Sequence, residues 1–115
     1  MESILQEGRT ITRLVRYIQE HLSEEISLKI LAEKFQLNSH YISQLFRKET
    51  DTNFYAYLTD IRLTRAKELL AATELPIGTI ASQSGYRDYR VFAKVFHKRE
   101  GITPSAYREQ SKRKR

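Results

Sequence analysis

The sequence predicts an all-α fold of about seven helices, arranged as two helix-turn-helix subdomains joined by a long connecting helix. Three observations predict it. Apolar residues recur at helical spacing along the chain, and no alternating strand pattern competes. The chain also repeats itself: Leu31-Ala32 align with Ile80-Ala81 at an offset of 49, and Phe46, Lys48 and Tyr57 align with Phe96, Lys98 and Tyr107 at an offset of 50. Finally, a short turn interrupts each copy at the same place, Gln36-Leu37-Asn38 in the first and Ser84-Gly85-Tyr86-Arg87-Asp88 in the second. A lobe of about 50 residues buries little apolar surface, so the copies are expected to lean on a shared element.

Each element has a local reason. Residues 1–9 read as the remnant of a linker. Residues 10–52 form the first unit, which opens with a helix over 10–22 whose Ile11, Leu14, Val15, Ile18 and Leu22 share one face. Ser27 caps a second helix over 28–35, and Asn38 caps a third that starts at Ser39 and buries Ile42, Leu45 and Phe46. Residues 53–72 form the connecting helix, opened by Thr52 or Asn53, with no helix breaker before Pro76. At about 1.5 Å per residue it is a rod of about 30 Å. Residues 73–110 form the second unit. Pro76 lies near the first turn of its first helix, Gly85 supplies a positive φ in the turn, and Asp88 caps the helix that follows. Gly101 ends that helix, and Thr103-Pro104 is an N-cap and N1 proline for a last short helix. Residues 111–115 read as a basic tail.

Composition narrows the function. The chain has 115 residues and a net charge of +6, unevenly spread. Residues 1–46 carry five Lys/Arg against six Asp/Glu, residues 47–86 carry five of each, and residues 87–115 carry ten against three. A basic C-terminal end attracts polyanions by counterion release. There is no Cys, which excludes disulfides, thiolate metal sites and a cysteine nucleophile. No stretch approaches the roughly 20 apolar residues of a membrane helix, and the N-terminus lacks a signal-peptide pattern. A cytoplasmic protein with no membrane association is the expectation. His21, His40 and His97 lack metal-ligand spacing, so no metal or cofactor is expected.

The informative constellation is polar. With Ile42, Leu45 and Phe46 turned inward, the outward stripe of the third helix is His40, Ser43, Gln44 and Arg47. With Phe92, Val95 and Phe96 inward, the matching stripe is Arg90, Ala93, Lys94 and His97, with Tyr89 at the helix start. Arg and Lys suit guanine O6 and N7, Gln suits adenine, Ala suits a thymine methyl, and a helix fits the major groove. One polar stripe would be an ordinary solvated face. Two at matched positions, each behind a helix-turn-helix spacing, point to double-stranded DNA. RNA is disfavoured because its deep, narrow major groove does not admit a helix.

The most specific residues lie in the second half. Arg62-x3-Ala66-x2-Leu69-Leu70-x2-Thr73 is followed by Ile77-x2-Ile80-Ala81-x3-Gly85-Tyr86-x-Asp88-x3-Phe92-x3-Phe96-x-Lys98-x2-Gly101-x-Thr103-Pro104-x2-Tyr107-Arg108. With Leu31-Ala32 and Leu45-Phe46-x-Lys48-Glu49 upstream, the chain resembles the DNA-binding region of the AraC/XylS family of bacterial transcription regulators from about Ile11 to Arg108. The resemblance implies two recognition helices in adjacent major grooves, about 34 Å apart. It places His40, Ser43 and Gln44, and then Tyr89, Arg90, Ala93 and Lys94, at base-reading positions. Arg47, Lys48 and Lys98 fall at backbone-contacting positions, and Asn38, Arg87 and His97 join them as expected phosphate contacts. One departure is Gln36, where the second copy has Gly85, which is expected to shift the first turn slightly.

The resemblance also implies activation through contact with RNA polymerase. Sensing or dimerisation is expected from a further domain, as in a response regulator or a ligand-responsive regulator; a stand-alone regulator set by its abundance is the competing reading. Some relatives join such a domain to DNA repair, but the chain has no Cys to accept an alkyl group, no catalytic carboxylate cluster and no Gly-rich phosphate loop, so no enzymatic activity is expected. Removing Lys112–Arg115 is expected to weaken binding to every duplex alike and to flatten its salt dependence, measured as Kd against salt concentration; a loss confined to one sequence contradicts this.

Overall fold

The computed structural model describes residues 4–114, and these hold seven α-helices and no strand. In chain order they are α1 (Ile4–Glu20), α2 (Leu28–Phe35), α3 (Ser39–Thr50), α4 (Phe54–Ala72), α5 (Ile77–Gln83), α6 (Tyr89–Glu100) and α7 (Pro104–Arg113). They form two compact units that divide inside α4, between Asp60 and Ile61.

The first unit buries Leu14 and Ile18 of α1, Leu31 of α2, and Ile42, Leu45 and Phe46 of α3, together with Phe54 and Leu58 from the start of α4. Phe46 meets Phe54 edge-on and Tyr57 at a tilt, both at 5.3 Å between ring centroids. The second unit has its own core of Leu63, Ala66 and Leu70 from the rest of α4, Ile80 and Ala81 of α5, and Phe92 and Phe96 of α6. Here Arg108 of α7 donates to the carbonyl of Leu70 (3.2 Å), in the last turn of α4, and to that of Leu75 (2.7 Å), in the connection to α5. The apolar register of α4 changes between Leu58 and Leu63, because this one helix supplies both cores.

The repeat seen in sequence is a repeat of hydrogen bonds. Leu37 N–H donates to the Ala32 carbonyl at 2.9 Å, and Tyr86 N–H to the Ala81 carbonyl at 2.9 Å. The Asn38 side-chain oxygen caps α3 by accepting from His40 N–H at 2.8 Å, and Asp88 caps α6 by accepting from Arg90 N–H at the same distance. Asp51 and Gly101, both with positive φ, end α3 and α6 by donating to Arg47 and His97 carbonyls. Asn53 and Thr103 then cap α4 and α7. Gln36 does not distort the first turn: it takes the left-handed conformation itself, at φ 54°, where Gly85 sits at φ 98°.

Two boundaries differ from the sequence reading. α1 begins at Ile4, so residues 4–9 are helical rather than linker, and residues 1–3 of that expected linker lie outside the described residues. Gly8 hides this helix from a propensity argument, but Glu7 suits the first turn of a helix dipole and Thr12 Oγ1 donates to the Gly8 carbonyl at 2.9 Å. At the other end, α7 continues through Arg113, so most of the expected tail is helix; Lys112 lies 3.4 Å from Glu74 and 3.8 Å from Glu109. Arg115 lies outside the described residues. Arg62 is half-buried, with its guanidinium carbon 5.8 Å from the centre of the Tyr86 ring. Burial pushes that guanidinium below its ordinary pKa, with Tyr86 acting in the opposite sense.

The left-handed positions set a stability prediction. A Cβ added at Gly101 meets nothing within 4 Å, so Gly101→Ala adds no clash and sets backbone strain against the lower entropy of the unfolded chain. It is expected to cost about 1 kcal/mol, whereas Gln36→Gly is expected to be neutral to stabilising by up to about 1 kcal/mol, since strain relief opposes the larger entropy of the unfolded chain. Urea unfolding midpoints measure both.

Candidate nucleic-acid interface

Each unit presents the second helix of its helix-turn-helix, α3 or α6, with one face in the core and the other toward solvent. The apolar triads fix that orientation, and the side-chain caps fix where each helix starts. The exposed ends are therefore positioned by the turn and not by the exposed residues themselves.

In the first unit His40, Gln44 and Arg47 are exposed on α3, and Ser43 is half-buried on the same side. Asn38 is exposed, but its side-chain oxygen is occupied by the backbone of His40 and Tyr41. Its amide NH2 is the group left to donate to a phosphate. Lys48 is not simply a cation awaiting a phosphate: its Nζ lies 3.1 Å from Glu7 Oε1. Sequence periodicity could not show this pair, because its members lie 41 residues apart on different helices.

In the second unit Arg87, Arg90, Lys94, His97 and Lys98 are all exposed, and Tyr89 keeps 48% of its surface at the start of α6. Ala93 is half-buried at the flank of the stripe. Val91, which the sequence reading placed on neither face, is 49% exposed. His97, Lys98 and Arg99 fall in the last turn of α6, and Arg47 and Lys48 in the last turn of α3. Cations there also favour the negative end of the helix dipole, so these residues have a structural use besides any contact with phosphate.

Chemically, the two faces offer hydrogen-bond donors and small side chains, with no acid on either stripe. Asp88 caps a helix, and Glu7 sits against Lys48. Among the described residues no group of three or more His, Cys, Asp or Glu is placed to hold a metal ion, and no helix is long and apolar enough to cross a membrane.

This fold and these faces define a tandem helix-turn-helix domain. A family described as "Helix-turn-helix domain" matches residues 31–110. The regulatory protein PocR of Salmonella typhimurium is 36% identical over 98 residues, which are 85% of this chain and 32% of PocR. The transcriptional activator RhaR of Yersinia pseudotuberculosis is 33% identical over 107 residues, 93% of this chain and 37% of RhaR. The C-terminal domain of AraT, a response regulator from Geobacillus stearothermophilus, superposes with a TM-score of 0.83 at 37% identity, covering 87% of this chain and 84% of that one. The chain belongs to the AraC-type helix-turn-helix family, the DNA-binding domains of bacterial transcription regulators. It spans only 32% and 37% of the lengths of PocR and RhaR.

The Lys48 pair yields a prediction. An exposed ion pair is worth roughly 0.5 kcal/mol, so Glu7→Gln is expected to tighten binding to every duplex about twofold at low salt. The gain fades as salt rises. Equal Kd values for the two proteins at low salt would mean that Lys48 does not meet phosphate.

Proposed function

We propose that α3 and α6 are paired recognition helices that read one operator at two half-sites. His40, Ser43 and Gln44 address bases in one major groove, and Tyr89, Arg90, Ala93 and Lys94 address bases in the next. Asn38, Arg47, Lys48, Arg87, His97 and Lys98 hold the phosphates on either side. The observation that carries this reading is the matched turn and cap geometry of the two units, which gives both exposed stripes the same footing. Phosphate contacts set register and orientation, while base contacts select sequence.

The intact protein, in this reading, acts in the cytoplasm as a regulator, and more specifically as an activator that touches RNA polymerase. Sensing or dimerisation comes from a domain beyond this segment. The activator RhaR and the response regulator AraT support that view, since each carries a domain similar to this chain. Catalysis has no part in the reading.

Selection of bound duplexes from a random library at near-physiological salt tests it. Two short motifs about one helical turn apart are expected. Arg90→Ala and Lys94→Ala are each expected to cost about 1–3 kcal/mol on the selected duplex and to relax preference at particular base pairs of one motif. A single motif would mean that one unit reads while the other only clamps. An equal loss on random DNA would reduce Arg90 and Lys94 to phosphate contacts.

A further inference from the structure

Val91 is the one residue of the α6 surface that the donor chemistry leaves without a use. A single exposed valine on a solvated face carries no information, but its setting here is particular. Large hydrophobic residues with substantial exposure among the described residues are Leu5, Tyr55, Tyr89 and Val91. Two of these four fall within the first three positions of α6, the helix whose exposed residues are otherwise Arg90, Lys94, His97, Lys98 and Arg99. The core of this unit does not hold Val91: Phe92 and Phe96 are fully buried there, and Val95 packs against them. Val91 instead shares the outward side of the helix with Lys94 and Lys98, at i, i+3 and i+7. The repeat sharpens the contrast, because the equivalent position of the first unit is Tyr41, which is half-buried.

The major-groove edge of a duplex presents donors, acceptors and one apolar group, the C5-methyl of thymine. A valine in a helix is nearly locked in one rotamer, so it offers fixed methyl groups without the ordering cost of a long side chain. We propose that Val91 is a specificity-determining residue that packs against a thymine C5-methyl beside the guanine addressed by Lys94. The sequence reading gave the apolar contact to Ala93, but that side chain is half-buried at the edge of the stripe, whereas Val91 keeps half its surface free. The inference rests on α6 being a recognition helix, as proposed above.

The test uses the full chain and the duplex obtained by selection. Each thymine of the α6 half-site is replaced in turn by deoxyuridine, which removes one methyl group and leaves base pairing unchanged. For the wild-type chain, one such replacement is expected to weaken binding about fourfold, the worth of one buried methyl. For Val91→Ala, the loss on the unmodified duplex is expected to be of that size, and the same deoxyuridine is expected to add little. Circular dichroism of Val91→Ala checks that the helices are intact, and Val91→Ile, which keeps the apolar branched group, is expected to retain the thymine preference.

Several results would overturn the assignment. One is a deoxyuridine penalty of equal size in wild type and Val91→Ala. Another is a penalty that Ala93→Gly removes and Val91→Ala does not. A third is the absence of any deoxyuridine penalty in this half-site while Arg90→Ala still relaxes sequence preference. That last pattern rejects the valine contact but leaves the recognition role of α6 standing, whereas failure of the selection to yield any motif for this helix rejects both.

Discussion

The orientation of each recognition helix depends on one backbone constraint, the left-handed residue in the turn before it. Gln36 and Gly85 reverse the chain so that Leu37 and Tyr86 bond back to Ala32 and Ala81. Without that conformation the following Asn38 or Asp88 would not stand where its side chain caps the next helix. The cap fixes the first turn, the first turn fixes the phase of the apolar triad, and the triad decides which residues face outward. The outward-facing residues can therefore vary freely, since none of them holds the helix in place.

Much of this was legible in the chain because it is local. Gly85, Asp88, Gly101 and Thr103-Pro104 name their own conformations through steric freedom and capping chemistry, and the structure has each in the role its type implies. The core aromatics were legible from helical spacing. Less visible was whatever depends on tertiary context. The helical state of residues 4–9 was masked by Gly8, and the continuation of α7 to Arg113 was masked by a run of like charge that the Lys112 contacts with Glu74 and Glu109 relieve. On the candidate interface, the Glu7–Lys48 contact joins distant parts of the sequence. Val91 and Val95 are the same residue type on one helix, and only exposure, which depends on tertiary packing, separates them.

The two units are alike in geometry and unlike in chemistry. The first presents His, Ser and Gln with a single Arg on its stripe, and the second presents Arg, Lys and His. Residues 87–115 carry ten basic groups against three acidic ones, while residues 1–46 are slightly acidic. Counterion release scales with the number of phosphates neutralised, so in the function proposed above the second unit supplies more of the sequence-independent attraction. The first has more of the neutral hydrogen-bonding groups.

Each unit also owns its core. Phe46 and Phe54 serve one, Phe92 and Phe96 the other, and even α4 divides its apolar residues between them. A mutation that repacks one core or alters one exposed stripe therefore need not be compensated in the other. Over evolutionary time such a chain can change half of its preferred sequence while the unchanged half keeps it on its promoter. A duplicated fold with separate interiors gives a lineage two dials where a single core would give one.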